Sequence, residues 1–163
     1  MKLYGVTGWK NAGKTTLMER LVTEITGRGL TVTTVKHAHH DTDVDQPGRD
    51  SHRHRQAGAS QVVLASPRRW ALMTELRDAP EPSLADLLPR LDPVDLVLVE
   101  GYKRAPHPKV EAWRGANGKQ PLAGRNDTIR AIAADGPVET PLPVLDLNDT
   151  KAIADFILRE VGA

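Results

Sequence analysis

A chain of 163 residues with 39% hydrophobic content has the material for one well-buried core and falls short of two ordinary domains, so a single domain is expected. Lysine and arginine number 22 against 21 acidic residues, so no general field draws the chain to nucleic acid or an anionic membrane; without cysteine it has no disulfide framework, thiolate zinc site or cysteine nucleophile. No apolar run approaches the ~20 residues that span a bilayer, and a cleaved signal peptide would remove the chain's most informative motif, so the expected location is cytoplasmic.

Residues 2–7 (KLYGVT) read as a short buried strand, and 15–28 as a helix with Leu17, Leu21, Val22 and Ile25 on one face, stopped by Gly27 and Gly29. The β-branched run 31–35 (TVTTV) is a second strand, made parallel to the first by a right-handed crossover. Residues 37–49 carry His37, His39, His40, Asp41, Asp43 and Asp45 ahead of Pro47 and Gly48, the pattern of an exposed loop. A short helix is expected at 50–57, strands at 61–65 and 70–75, and a helix at 83–90 after the break at Pro80–Pro82. The apolar run 94–99 (VDLVLV) is the pattern of a central strand covered on both faces, with Glu100 and Gly101 at its carboxyl end. Pro, Gly and Asn are frequent over 105–128 around a strand at 109–113, which reads as loop or partner surface, and strands at 129–133 and 143–146 precede a helix at 149–161. The alternation predicts an α/β fold, a mostly parallel central sheet with helices on both faces, which the glycine motif after the first strand makes P-loop NTPase-like.

Gly8-Trp9-Lys10-Asn11-Ala12-Gly13-Lys14-Thr15 satisfies G-x-x-x-x-G-K-[ST] at every fixed position, between an expected strand and an expected helix. There the backbone N–H groups from Gly8 through Asn11 and Ala12 to Gly13, and the positive end of the helix dipole, converge on a polyphosphate. The glycines let the backbone curl, Lys14 supplies a cation to the β- and γ-phosphates, and Thr15 supplies a hydroxyl to Mg2+.

A phosphate-loop site also needs an acid near Mg2+, commonly at the end of a buried strand beside the loop strand, and Glu100 occupies that place. Aspartate is the commoner residue there, so Glu100 either reaches the metal through water or orients the attacking water. Lys14 and Glu100 are the candidate catalytic residues, and Asp41, past the second strand, is a candidate to complete the Mg2+ shell with Thr15 and Glu100. His37, His39 and His40 suggest a transition-metal site, against which stand their polar surroundings and the lack of cysteine. Lys36, Arg49, Arg53 and Arg55 are candidate contacts to phosphates or an anionic partner, exposed surface charge being the plainer reading. No N-K-x-D string selects guanine, so ATP stays open; Asp135, after the strand at 129–133, is a candidate acceptor for guanine N–H groups or simply a turn aspartate before Gly136-Pro137.

Taken together, G-W-K-N-A-G-K-T-T-L (8–17), V-K-H-A-H-H-D (35–41), P-G-R-D-S (47–51), A-G-A (57–59) and L-V-E-G-Y-K (98–103) resemble the molybdopterin-guanine dinucleotide biosynthesis protein B group, MobB. The likeness spans the first two thirds of the chain, and the strings after the loop are its discriminating part. It implies a GTP-binding P-loop homodimer with Mg2+ and weak GTPase activity. The implied role is that of an accessory factor in molybdenum cofactor maturation, whose partners are the guanylyltransferase that joins GMP to molybdopterin and, in addition, the molybdopterin cofactor itself. The family's phosphate contacts fall on Gly8, Gly13, Lys14, Thr15 and Thr16, and its V-E-G acid on Glu100. Lys10 does not match the signature lysine of related dimeric ATPases. Two rivals remain: a nickel-delivery GTPase, suggested by the histidines at 37–40, and a small-molecule kinase of the same loop type.

Overall fold

The computed structural model describes residues 1–38 and 43–163, and these form two compact units, Met1–His37 with Leu88–Ala163 and Ala38–Leu87.

The larger unit is built on six parallel strands. In chain order they are β1 (Lys2–Thr7), β2 (Val32–Lys36), β5 (Leu96–Glu100), β6 (Lys109–Trp113), β7 (Ile129–Ala134) and β8 (Val144–Asp146), lying side by side as β2-β5-β1-β6-β7-β8. Strands β3 (Gln61–Ala65) and β4 (Trp70–Thr74) belong to the smaller unit. Because β1 lies between β5 and β6, whatever follows β1 is flanked by the carboxyl ends of both. Helices α1 (Lys14–Gly27) and α4 (Thr150–Val161) pack on one sheet face: Leu17, Leu21 and Ile25 of the first and Ile153 and Ile157 of the second meet Tyr4, Val6, Leu96, Leu98 and Val110, all fully buried. The 3.6-residue spacing of those side chains against the two-residue spacing on the strands makes the apolar layer. Asp149 opens α4 by accepting a hydrogen bond from the Ala152 N–H at 2.9 Å, and Gly162, with φ 66°, ends it.

On the opposite face β6 presents Lys109 and Glu111, both fully buried. The strand expected at 109–113 within the loop-rich stretch 105–128 is thus present, and it lies inside the sheet. Lys109 Nζ donates to the backbone carbonyls of Ala105 and His107 and to Thr128 Oγ1, and the Glu111 carboxylate accepts from the Leu122 and Ala123 N–H groups at 2.7 and 2.9 Å. Two ionisable side chains therefore fasten the irregular segments on either side of β6 over the sheet, satisfied by main-chain groups and the Thr128 hydroxyl. Burial brings Lys109 down to about 8, and pushes Glu111 up against the opposing pull of the two amides.

The smaller unit contains α2 (Asp50–Gln56), the antiparallel pair β3 (Gln61–Ala65) and β4 (Trp70–Thr74), and α3 (Leu84–Leu87). The single helix expected over 83–90 is instead one α-turn followed by a 3-10 turn over Leu88–Arg90, since Pro89 supplies no N–H to continue an α-helix. Arg55 of α2 holds three carboxylates, Asp43 at 2.6 Å, Glu75 at 2.8 Å and Asp45 at 3.3 Å, so it organises its own unit rather than offering itself to an anion. Arg53 reaches Asp50 at 3.8 Å, and Arg49 reaches the Gln46 side chain at 3.3 Å.

His107 supplies a measurable consequence. Its ring lies over Gly5, where a Cβ would come within 2.6 Å of Nε2; it is buried, and neither ring nitrogen has a hydrogen-bond partner among the described residues. Burial, helped by Lys109, depresses it from its ordinary 6.5 to about 4. The folded chain keeps the imidazole neutral while the unfolded chain protonates it, so this contribution to stability is whole above about pH 6.5 and is lost as pH falls towards 4. The urea midpoint of the wild-type chain is expected to drop across that window by an amount equivalent to about 1.4 kcal/mol per pH unit. The His107→Phe variant is expected to lose most of that slope.

Candidate functional site

The loop between β1 and α1 has the backbone its sequence requires. Gly8, Asn11 and Gly13 have φ of 142°, 64° and 85°, the left-handed side of conformational space where glycine carries no steric cost and asparagine little. At Gly8 the constraint is tightest, because a Cβ would stand 2.3 Å from the Ala112 carbonyl oxygen on β6. Ala12 is buried and its N–H closes a turn onto the Trp9 carbonyl at 3.2 Å, while the Leu17 N–H bonds the Gly13 carbonyl at 2.9 Å to begin the helix. Gly13 caps α1 with no side chain, so the first-turn N–H groups, including those of Thr15 and Thr16, lack a capping acceptor. Such an end attracts an anion.

Three expected residues meet at the mouth of this loop. Thr15 Oγ1 donates to the Glu100 carboxylate at 3.2 and 3.4 Å, and Lys36 Nζ lies 3.8 Å from the same carboxylate, which the β2–β5 register sets directly opposite Lys36. Lys14 folds back so that Nζ donates to the Trp9 carbonyl at 2.7 Å. Burial holds its ammonium below the ordinary lysine range, Glu100 opposes that shift, and Lys103 and Lys36 reinforce it. The site is therefore an electropositive hollow with one acid. A hydroxyl and a carboxylate side by side form an oxygen-only donor set suited to Mg2+, whose remaining positions would fall to phosphate oxygens and water. Among the described residues no group of three His, Asp or Glu side chains is placed to hold a metal ion by itself.

Asp41, His39 and His40 lie outside the described residues. His37 stacks on Tyr102 with ring centroids 4.5 Å apart, and its N–H bonds the Glu100 carbonyl at 2.9 Å. Gly101 permits that approach: with φ 98°, a Cβ there would come within 2.8 Å of His37 Cβ.

The segment after β6 adds residues that the sequence did not single out. Trp9 Nε1 donates to the Gln120 carbonyl at 2.8 Å, and the ammonium groups of Lys119 and Lys103 lie 5.3 and 5.5 Å from its ring centroid, within cation–π range. The Arg114 guanidinium sits against Gly13, with Nε 3.1 Å from where a Cβ would be. Arg114 also reaches Asp135 at 3.5 Å, and the other Asp135 oxygen accepts the Gly115 N–H at 3.0 Å. Asp135, the candidate base reader, thus already holds two donors, and it is Arg114 that joins it to the phosphate loop. A basic residue directly after a strand next to the loop strand is a signal that would have pointed to Arg114.

Comparison with known proteins places these features in a family. A family model described as "Molybdopterin guanine dinucleotide synthesis protein B" matches residues 3–135. The molybdopterin-guanine dinucleotide biosynthesis adapter protein of Escherichia coli (strain K12) is 41% identical over 160 residues, covering 96% of this chain and 91% of the relative. Its counterpart in Haemophilus influenzae is 44% identical over 158 residues, covering 95% of this chain and 86% of the relative. The crystal structure of the MobB protein homolog from Bacillus stearothermophilus superposes with a TM-score of 0.74 at 32% identity, covering 99% of both chains.

The glycines of the loop can be told apart by experiment. Gly8→Ala places a methyl group against a strand carbonyl, which cannot yield, whereas Gly13→Ala meets the movable end of Arg114. Thermal unfolding is expected to show the larger loss for Gly8→Ala, by about 1–3 kcal/mol or more, and the smaller for Gly13→Ala, which keeps only the cost of its positive φ.

Proposed function

The chain belongs to the MobB family, and on that premise we propose that it is a GTP-binding adapter in the biosynthesis of molybdopterin guanine dinucleotide. The observation that carries the nucleotide reading is the meeting of Thr15 and Glu100 at the mouth of an uncapped glycine loop. In this reading the amides from Gly8 to Thr16 hold the phosphates, with Asn11 and Ala12 contributing through the main chain. Lys14 leaves the Trp9 carbonyl for the β- and γ-phosphates, and Thr15 and Glu100 hold Mg2+, with Asp41 as a further candidate. Mg2+ supplies charge neutralisation between the terminal phosphates. Asp135 reads the guanine edge.

Hydrolysis by this arrangement is slow. Glu100 is already engaged by the Thr15 hydroxyl and stands beside the Lys36 ammonium, so it is committed to the metal side of the loop and does not orient an attacking water. A site that holds GTP longer than it cleaves it suits an adapter that signals occupancy to the guanylyltransferase and delivers nucleotide or molybdopterin to it, in the cytoplasm.

The same reading includes a homodimer. The β3–β4 pair turns Val63, Leu72 and Trp70 to one side, where they are 62%, 47% and 67% exposed. An apolar strip of that kind on a two-stranded sheet is a contact surface for a second copy.

Calorimetric titration with GTP and ATP, with and without Mg2+, tests the ligand, the base and the metal together. Lys14→Ala is expected to abolish GTP binding with an unchanged melting profile, and Glu100→Gln to remove most of the gain in affinity given by Mg2+. Fast multiple-turnover GTP hydrolysis by the isolated chain contradicts the adapter reading. For the dimer, sedimentation of Leu72→Asp is expected to show a monomer where the wild-type chain shows a dimer.

A further inference from the structure

We propose that Arg114 and Asp135 are an exchange pair that ties recognition of the guanine base to the presence of phosphates, an inference that rests on the nucleotide reading above. Without nucleotide the two hold each other; with GTP, Arg114 turns to the polyphosphate and Asp135 to the N1–H and 2-amino groups of the base.

Position is the first argument. Arg114 is the residue directly after β6, and its guanidinium lies over Gly13, with Nε and Nη2 at 3.1 and 3.3 Å from a Cβ built there. Gly13 is the last loop residue before α1, so a phosphate chain held by the helix amides passes close to this cation. Asp135 directly follows β7, the next strand outward, at the same carboxyl edge of the sheet. The line from loop to Arg114 to Asp135 therefore runs in the direction a nucleotide lies, phosphates at the helix and base over the neighbouring strand ends.

The strength of the existing pair is the second. Arg114 Nη1 and Asp135 Oδ2 stand 3.5 Å apart, and both side chains are partly exposed. A long, water-accessible ion pair contributes little and is readily exchanged. Two charge-assisted contacts, guanidinium to phosphate and carboxylate to the base N–H groups, replace one weak pair. The Gly115 N–H holds Oδ1 at 3.0 Å and takes no part in the exchange, which leaves the carboxylate an orienting donor and Oδ1 a lone pair for the base.

There is also room. A cleft of about 400 Å3 is lined by Trp113, Gly115, Lys119, Gln120, Pro137 and Glu139. Gly115 links it to Asp135, and the volume exceeds that of a purine. The Trp113 ring forms part of its wall and is held by Nε1 donating to the Lys119 carbonyl at 2.8 Å.

An exchange pair has a signature that a simple binding residue lacks. Removing Arg114 costs affinity for ligands with phosphates and releases Asp135 for ligands without them, so the two effects have opposite signs. Titrations of the full chain with GTP, guanosine and xanthosine triphosphate are compared for the wild type, Arg114→Met, Arg114→Lys and Asp135→Asn, with melting curves to confirm folding. Arg114→Met is expected to bind GTP about tenfold more weakly and guanosine about threefold more tightly, and Arg114→Lys to recover part of the GTP affinity. Asp135→Asn is expected to turn preference from GTP to xanthosine triphosphate. If Arg114→Met leaves GTP unchanged, or weakens GTP and guanosine alike, the exchange is wrong even though GTP binds. If the wild-type chain binds no GTP, the nucleotide reading itself falls.

Discussion

The whole site is hung on the contact between Gly8 and the Ala112 carbonyl. A backbone that passes so close to the neighbouring strand that no side chain fits between them has its direction set at that point. From there the chain turns through Asn11 and Gly13 in left-handed conformations and delivers α1 with its amino end open at the carboxyl edge of the sheet. The same approach draws β6 against the loop, and with β6 come Arg114 and the clamp on Trp9. On the other flank β5 brings Glu100 to Thr15. Placing the loop strand between β5 and β6 is therefore what gives the loop an acid on one side and a cation on the other.

Much of this was legible in the residues. The loop string was legible because each of its positions has a separate steric or electrostatic reason, and apolar runs such as 94–99 marked strands of the sheet around it. Glu100 and Asp135 stood out by their place at the ends of buried strands, and the structure sets both at the carboxyl edge of the sheet. The sequence was mute wherever a polar residue acts by meeting a distant one. The Pro, Gly and Asn content around the expected strand at 109–113 read as loop or partner surface, and nothing in the residues told that Lys109 and Glu111 of that strand would be buried and met by groups that tertiary folding brings over the sheet. Arg114 and Asp135 are far apart in sequence, and only the adjacency of β6 and β7 joins them. Arg55 read as a possible anion contact because its three carboxylate partners lie before and after it in unrelated segments.

The smaller unit shows the same economy of charge. The acidic residues Asp43 and Asp45 are met by Arg55 of α2, with Glu75 of the segment after β4 as the third partner. Ser51 adds a bond to Asp45 at 2.9 Å, so the start of the helix and the acidic stretch before it are fixed together. Such a node orders a segment that has almost no apolar side chains of its own to bury.

Lys109 and Glu111 carry one more implication. Apart from Thr128, the atoms they grip are peptide groups, and every residue has a peptide carbonyl while every residue but proline has an N–H. The covering stretch is thus recognised by its main chain rather than by its side chains. Natural drift is free to rewrite Ala105, Leu122 or Ala123 while the cover stays put, so the surface this part of the molecule shows to other proteins can diverge without disturbing the sheet beneath it.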